Sequence, residues 1–151
     1  MKTKLSSMFM KFRINSALIL IITLSCSGNR ESFGLEDDKI YLIIPVSQSC
    51  GSCTKTALKF VEDHDTLISN SENFKVVFTA IPASPFDITH QKIIQFKDRV
   101  NFQLDTTDYY LNEDIVGIYP VILEQNKGKI SHFEVDPGHV DAVLRELKDI
   151  L

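Results

Sequence analysis

The sequence predicts an α/β domain whose helices flank a central mixed β-sheet. Three observations carry that expectation. A near-continuous apolar run at residues 40–46 passes into helical periodicity and then into a second apolar run at residues 74–81. That is the pattern of a βαβ unit with parallel strands and a right-handed crossover. Two later strand-like runs, 121–124 and 129–135, are separated by Gln125-Asn126-Lys127-Gly128, which reads as an antiparallel hairpin. The chain then closes on its clearest amphipathic helix, with Val140, Val143, Leu144, Leu147, Ile150 and Leu151 along one face. A length of 151 residues gives room for one domain, and 44% hydrophobic with 24% charged residues argues against a disordered chain.

Residues 1–25 are expected to be an export signal. Lys2, Lys4, Lys11 and Arg13 come first, then an apolar run at 17–24, then Ser25-Cys26. The run is short of the roughly 20 apolar residues of a membrane span and fits the roughly 7–15-residue apolar region of a signal peptide. Met10 begins a tidier version of the same pattern and is an alternative start. A small residue followed at once by cysteine resembles a bacterial lipoprotein signal; the other reading is an ordinary cleaved signal with Cys26 as a bystander. The resemblance implies cleavage before Cys26, a lipid on that cysteine, and residues 26–39 as a tether to a domain at 40–151. Gly28, Asn29, Gly34 and the acidic pair Asp37-Asp38 suit a flexible, polar tether. The protein would then be an exported, membrane-anchored bacterial lipoprotein facing the periplasm or the cell exterior. If Cys26 carries lipid, Cys50 and Cys53 are left as the only intramolecular pair.

The signal holds four basic and no acidic side chains, so removing it takes the net charge from −4 to −8. An acidic domain without a basic block neutralises few phosphates, and no nucleic-acid partner is expected.

Within the domain, the first strand (40–46) is apolar enough to be buried on both faces. Ser49-Cys50-Gly51-Ser52-Cys53 follows, then a helix expected to run to about residue 68, with Ala57, Leu58, Val61, Leu67 and Ile68 near one side. A polar loop at 69–73 leads to the second strand, which Pro82-Ala83-Ser84-Pro85 ends. A second helix is expected from residue 88 to about 99, carrying Ile93, Ile94 and Phe96. Residues 100–104 read as a short extended segment, and 105–114 as a loop with one helical turn. Asp136 is expected to cap the last helix, with Pro137 at its first position.

Two cysteines separated by two residues, where a strand hands over to a helix, point to thiol–disulfide chemistry. The thiolate is the nucleophile, and an ordinary cysteine is mostly thiol at neutral pH. Cys50 sits just ahead of the helix, where unpaired N–H groups and the helix dipole favour an anion, so it is expected to be the attacking thiol. Gly51 is expected to ease the turn, and the Ser52 hydroxyl is expected either to donate a hydrogen bond to the thiolate or to face water. Cys53, one turn on, is expected to be buried and to attack the mixed disulfide that Cys50 forms.

The order βαβ, helix, proline-opened hairpin, helix resembles the thioredoxin-like superfamily over residues 40–151. Within it the chain is most similar to exported, membrane-tethered thiol–disulfide oxidoreductases that include the cytochrome-maturation thioredoxins. Phe102-Gln103-Leu104-Asp105, Ile115-Val116-Gly117-Ile118, Pro120 and Gly128-Lys129 can be laid on that group's aspartate-ended stretch, its YGV-like segment, its proline and its hairpin turn. The resemblance implies a helix insertion before a hairpin opened by a cis-proline, Pro120, with Tyr119 and Pro120 bordering a substrate groove. It implies a redox-active Cys50–Cys53 disulfide with no cofactor, a protein dithiol or disulfide as substrate, a membrane electron donor or acceptor, and a lean towards reduction. The chain departs from the group at three places: Ser49 stands where tryptophan is usual, Gly51-Ser52 lies between the cysteines, and Ile44 replaces a buried acid six positions before Cys50. No base for Cys53 is therefore visible.

Two other readings compete. CxxC is half of a zinc site, but no second pair exists. The same thiolates with one of His64, His90, His132 or His139 would suit Cu(I), giving a tethered copper-handling protein, although no metal site is expected. A non-catalytic thioredoxin-like binding module with a structural Cys50–Cys53 bond is the other, weakened because so small a ring constrains the unfolded chain little. Tyr109, Tyr110 and Phe133 fit core packing or a partly exposed loop better than recognition.

Overall fold

The strand β1 (Lys39–Pro45) lies at the centre of a five-stranded sheet ordered β3-β2-β1-β4-β5. This computed structural model describes residues 35–47, 50–127 and 129–151. The expected export signal, Cys26 and the tether as far as Gly34 lie outside the described residues, as do Gln48, Ser49 and Gly128. β1 pairs in parallel with β2 (Phe74–Thr79), and β2 with β3 (Phe102–Leu104). On its other side β1 pairs antiparallel with β4 (Val121–Asn126), which turns back as β5 (Lys129–Glu134). The fold is α/β, a mixed sheet flanked by helices and closed by a C-terminal helix, as in thioredoxin-like proteins.

The central place of β1 follows from its composition. Side chains alternate between the faces of a strand, so only a strand apolar at every position can be covered on both. Leu42, Ile43 and Ile44 are fully buried. Leu42, Ile44 and Val46 join Val76, Phe78 and Ile122 in the main core. Over it lie α1 (Gly51–Asp63), α2 (Asp65–Asn70), α3 (Ile88–Ile94) and α5 (Val140–Lys148). Phe78, Phe96 and Phe102 stack there, with ring centroids 4.9–6.5 Å apart, and burial of side chains this large is worth roughly 2–3 kcal/mol each. Tyr41 and Ile43 face the other way, towards the side on which the short α4 (Tyr109–Asn112) rests against β2.

The structure departs from the expected elements at identifiable points. The first helix stops at Asp63 because His64 leaves helical geometry (φ −125°, ψ 18°), donates from Nδ1 to the Phe60 carbonyl at 2.8 Å and stacks on the Phe60 ring. The chain restarts as α2 one residue later. α3 is capped by Asp87, whose carboxylate accepts from the amides of Thr89 and His90. It ends at Ile94, and tighter turns through residue 99 swing Phe96 into the core. α5 begins at Val140, later than expected. Asp136 accepts from the Gly138 amide at 2.8 Å and from His139 Nδ1 at 2.9 Å, so it caps the turn before the helix. Leu35 is buried and the Asp38 amide donates to the Gln125 carbonyl, so residues 35–38 belong to the folded unit. No helix among the described residues is long and apolar enough to cross a membrane.

The expected cis-proline is not found: the Tyr119–Pro120 peptide is trans, as is every described peptide bond. Trans is the favoured isomer even before proline, by about 0.5–1 kcal/mol. The trans loop leaves its neighbouring carbonyls paired: Ile118 accepts from the Cys50 amide and Pro120 from the Val135 amide, each at 2.7 Å.

Candidate active site

The three parallel strands end at one edge of the sheet, and the loops that leave them carry the polar chemistry. β1 and β2 stay zipped past their ends, with the Val46 amide on the Thr79 carbonyl and the Ser47 amide on the Ala80 carbonyl, both at 2.9 Å. Cys50 follows as the N-cap of α1. Its amide donates to the Ile118 carbonyl at 2.7 Å, and its carbonyl accepts from the Thr54 amide at 3.0 Å. Thr54 is itself buried and donates its hydroxyl to the Pro45 carbonyl at 3.2 Å. The first turn of α1 is thus bolted to the end of the central strand. Gly51 has open space where a side chain would stand, so the turn does not depend on glycine there.

Both cysteines are free; Cys50 is partly exposed and Cys53 fully buried. Their sulfurs lie 3.1 Å apart, Cys53 donating to Cys50, against about 2.05 Å for a disulfide. The Ser52 hydroxyl lies 3.3 Å from the Cys50 sulfur. The hydrogen bond from Ser52, followed by those of the Cys53 amide and thiol, brings the Cys50 pKa down from 9.0 to about 7. No amide of the first turn makes a regular cap bond to the sulfur, but those of Cys53 and Ser52 are close enough to favour the anion. Burial pushes the Cys53 thiol the other way, and its neighbour Cys50 adds to the rise. One sulfur is therefore poised as a nucleophile while the other keeps its proton.

Of the other expected site residues, Pro120 is buried at the mouth of β4 and Tyr119 is half-buried. Ile118 reaches Cys50 through its backbone carbonyl, a contact that no side-chain type announces. Ile44 is fully buried in the apolar core. Among the described residues no three His, Cys, Asp or Glu side chains gather to hold a metal. His64, His90 and His139 are bonded to Phe60, Pro82 and Asp136 respectively.

A second polar cluster sits at the same edge. Asp105 is 4% exposed, and its carboxylate accepts from the Thr79 hydroxyl at 2.9 Å, the Tyr110 amide at 3.1 Å, and the Thr107 hydroxyl and amide at 2.9 and 3.2 Å. Burial works to raise its pKa, but these donors and the Tyr109 amide outweigh it and hold the carboxyl below its usual range. Asp108 accepts from the Ala80 amide at 2.9 Å. Together the two aspartates clamp the β3–α4 loop onto the end of β2. Compared with known proteins, the chain matches no protein-family model, no curated protein and no solved structure.

Proposed function

We propose that this protein is a thiol–disulfide oxidoreductase acting on protein disulfides outside the cytoplasm, as a reductase, through Cys50 and Cys53. The observation that carries the reading is the pair of sulfurs 3.1 Å apart, one in surroundings that lower its pKa and the other in surroundings that raise it. The Cys50 thiolate attacks a substrate disulfide, whose S–S bond breaks and releases one substrate thiolate. Cys53, once deprotonated, attacks the Cys50 sulfur of the mixed disulfide and releases the second thiolate. The Cys50–Cys53 disulfide that remains has given two electrons to the substrate, and a membrane electron donor restores the dithiol. A Cys50 pKa of about 7 supports the reducing direction: strong oxidants of this chemistry hold a far more stabilised thiolate, which makes the reduced form the favoured one. Ile118, Tyr119 and Pro120 lead the chain past Cys50 and border the approach of the substrate. The basic, apolar and Ser25-Cys26 sequence of the first 26 residues supports a lipid on Cys26 and a periplasmic or outward-facing location.

Cys50→Ser is expected to abolish reduction of a protein disulfide, and Cys53→Ser to accumulate a mixed disulfide on Cys50, both read by non-reducing gels and intact mass. Turnover that survives Cys50→Ser, or trapping on Cys53 instead, overturns the assignment.

A further inference from the structure

We propose that β5 is a dimerisation strand, whose outer edge pairs antiparallel with β5 of a second copy of this chain. This association is independent of the exchange reaction. The sheet has two open edges, β3 and β5, and they differ. β3 has three residues, and a strand that short offers little to pair with. β5 has six, in unbroken register with β4 and without proline or bulge. Five of the six are exposed and Phe133 is half-buried. An edge this long and uncovered is a ready template for another strand. The usual guards against it are bulges, prolines and lysines, and β5 has only Lys129, at its first position.

The ladder fixes which backbone groups are free. Successive residues of a strand turn their N–H and C=O alternately to its two sides. The Val135 amide donates to the Pro120 carbonyl, just ahead of β4. Ser131 and Phe133 therefore also face β4, while Ile130, His132 and Glu134 turn theirs outward. Among the described residues, no backbone hydrogen bond takes up these outward groups. Outward groups can meet only outward groups, so the two-fold axis of an isologous pair passes through a residue of β5. With the axis at Phe133, His132 lies opposite Glu134 of the other copy, twice over, an N–H donor facing a carboxylate. The two Phe133 rings then meet on the side where each already packs against its main core. With the axis at His132, two imidazoles meet and each Ile130 faces a Glu134; with the axis at Ser131, Ile130 faces His132. Complementary polar pairs and aromatic pairs each favour a register by roughly 0.2–1 kcal/mol, so Phe133 takes the axis. The same arrangement turns the basic start of each strand, Lys127 and Lys129, towards the acidic end of the other, Glu134 and Asp136.

The test is sedimentation of the full-length protein in mild detergent over a concentration series, where the wild type is expected to be a dimer. His132→Pro removes an outward N–H and no bond to β4, and is expected to be monomeric at concentrations that leave the wild type dimeric. Its Cys50 alkylation midpoint, held near 7, shows that the fold is kept. Glu134→Lys changes an exposed side chain only, and is expected to raise the dimer dissociation constant by about tenfold or more. Adding His132→Glu to Glu134→Lys swaps the charges of each cross-strand pair and is expected to restore association. A monomeric wild type, a dimer that His132→Pro leaves intact, or a Glu134→Lys defect that the swap leaves unrepaired overturns the proposal.

Discussion

Asp105 in the β3–α4 loop and Cys50 in the β1–α1 turn both ionise more readily than usual, in opposite surroundings. Asp105 is buried against the end of β2, where burial raises its pKa, and four hydrogen bonds together with the Tyr109 amide reverse that. Every acceptor position faces a donor, so nothing is left with which to react. Cys50 is partly open and is favoured mainly by one hydroxyl and its neighbour's amide and thiol. Its sulfur keeps lone pairs free towards solvent. The same edge of the sheet thus holds a saturated anion that fixes a loop and an undersaturated one that is available to attack. Lowered ionisation alone does not identify a reactive group; spare coordination does.

The comparison breaks most visibly at Asp105. Asp105→Ala leaves the Thr79 hydroxyl and the Tyr110 amide without their acceptor, and is expected to cost about 3 kcal/mol in urea unfolding, with the alkylation midpoint of Cys50 unmoved near pH 7. A shifted midpoint would show that the two regions are one. Thr54→Val is a smaller probe of the thiol turn. It removes the hydroxyl bond to Pro45 and is expected to cost about 1 kcal/mol in the same assay, with the Cys50 midpoint again held. Smallest is the pH dependence of the reduced protein. The folded pKa of Cys50, about 7, lies below its ordinary 9.0. Unfolded chains therefore bind more protons between those values, and stability rises across that window. The raised pKa of Cys53 acts oppositely, removing stability only as pH climbs past the ordinary thiol range. In Cys50→Ser the gain between about pH 7 and 9 is expected to vanish in denaturation curves taken across that range. Asp105 contributes over a different window: its share is complete above the ordinary carboxylate range and is lost as pH falls through its lowered pKa.

What was legible in the sequence follows the same division between what side-chain type encodes and what it does not. β1 was expected at 40–46 and found at Lys39–Pro45, because an unbroken apolar run has few places to go but the middle of a sheet. The hairpin and the single turn of α4 were legible from turn chemistry. The break at His64 was not, since it depends on an imidazole bonding its own helix and lying on Phe60. Asp136 does not cap α5 as expected, nor does Pro137 open it: the Asp136 side chain closes a turn ahead of the helix, whose N-cap is His139. The isomer at Pro120 turns on about 1 kcal/mol or less, below what local sequence resolves. At the site, the cysteine spacing announced the pair. The Ile118 carbonyl was silent because every residue has one, and the place of the Ser52 hydroxyl beside the Cys50 sulfur depends on the winding of α1.

The 3.1 Å gap between the sulfurs also governs the response to damage. A peroxide that finds the exposed Cys50 thiolate converts it to a sulfenic acid, the first rung of an oxidation ladder whose higher rungs are irreversible. Cys53 is already within reach, so the sulfenic acid condenses with its thiol, expelling water and leaving a disulfide. In the exchange reaction proposed above, turnover makes the same product, and whatever restores the dithiol there would restore the injured one.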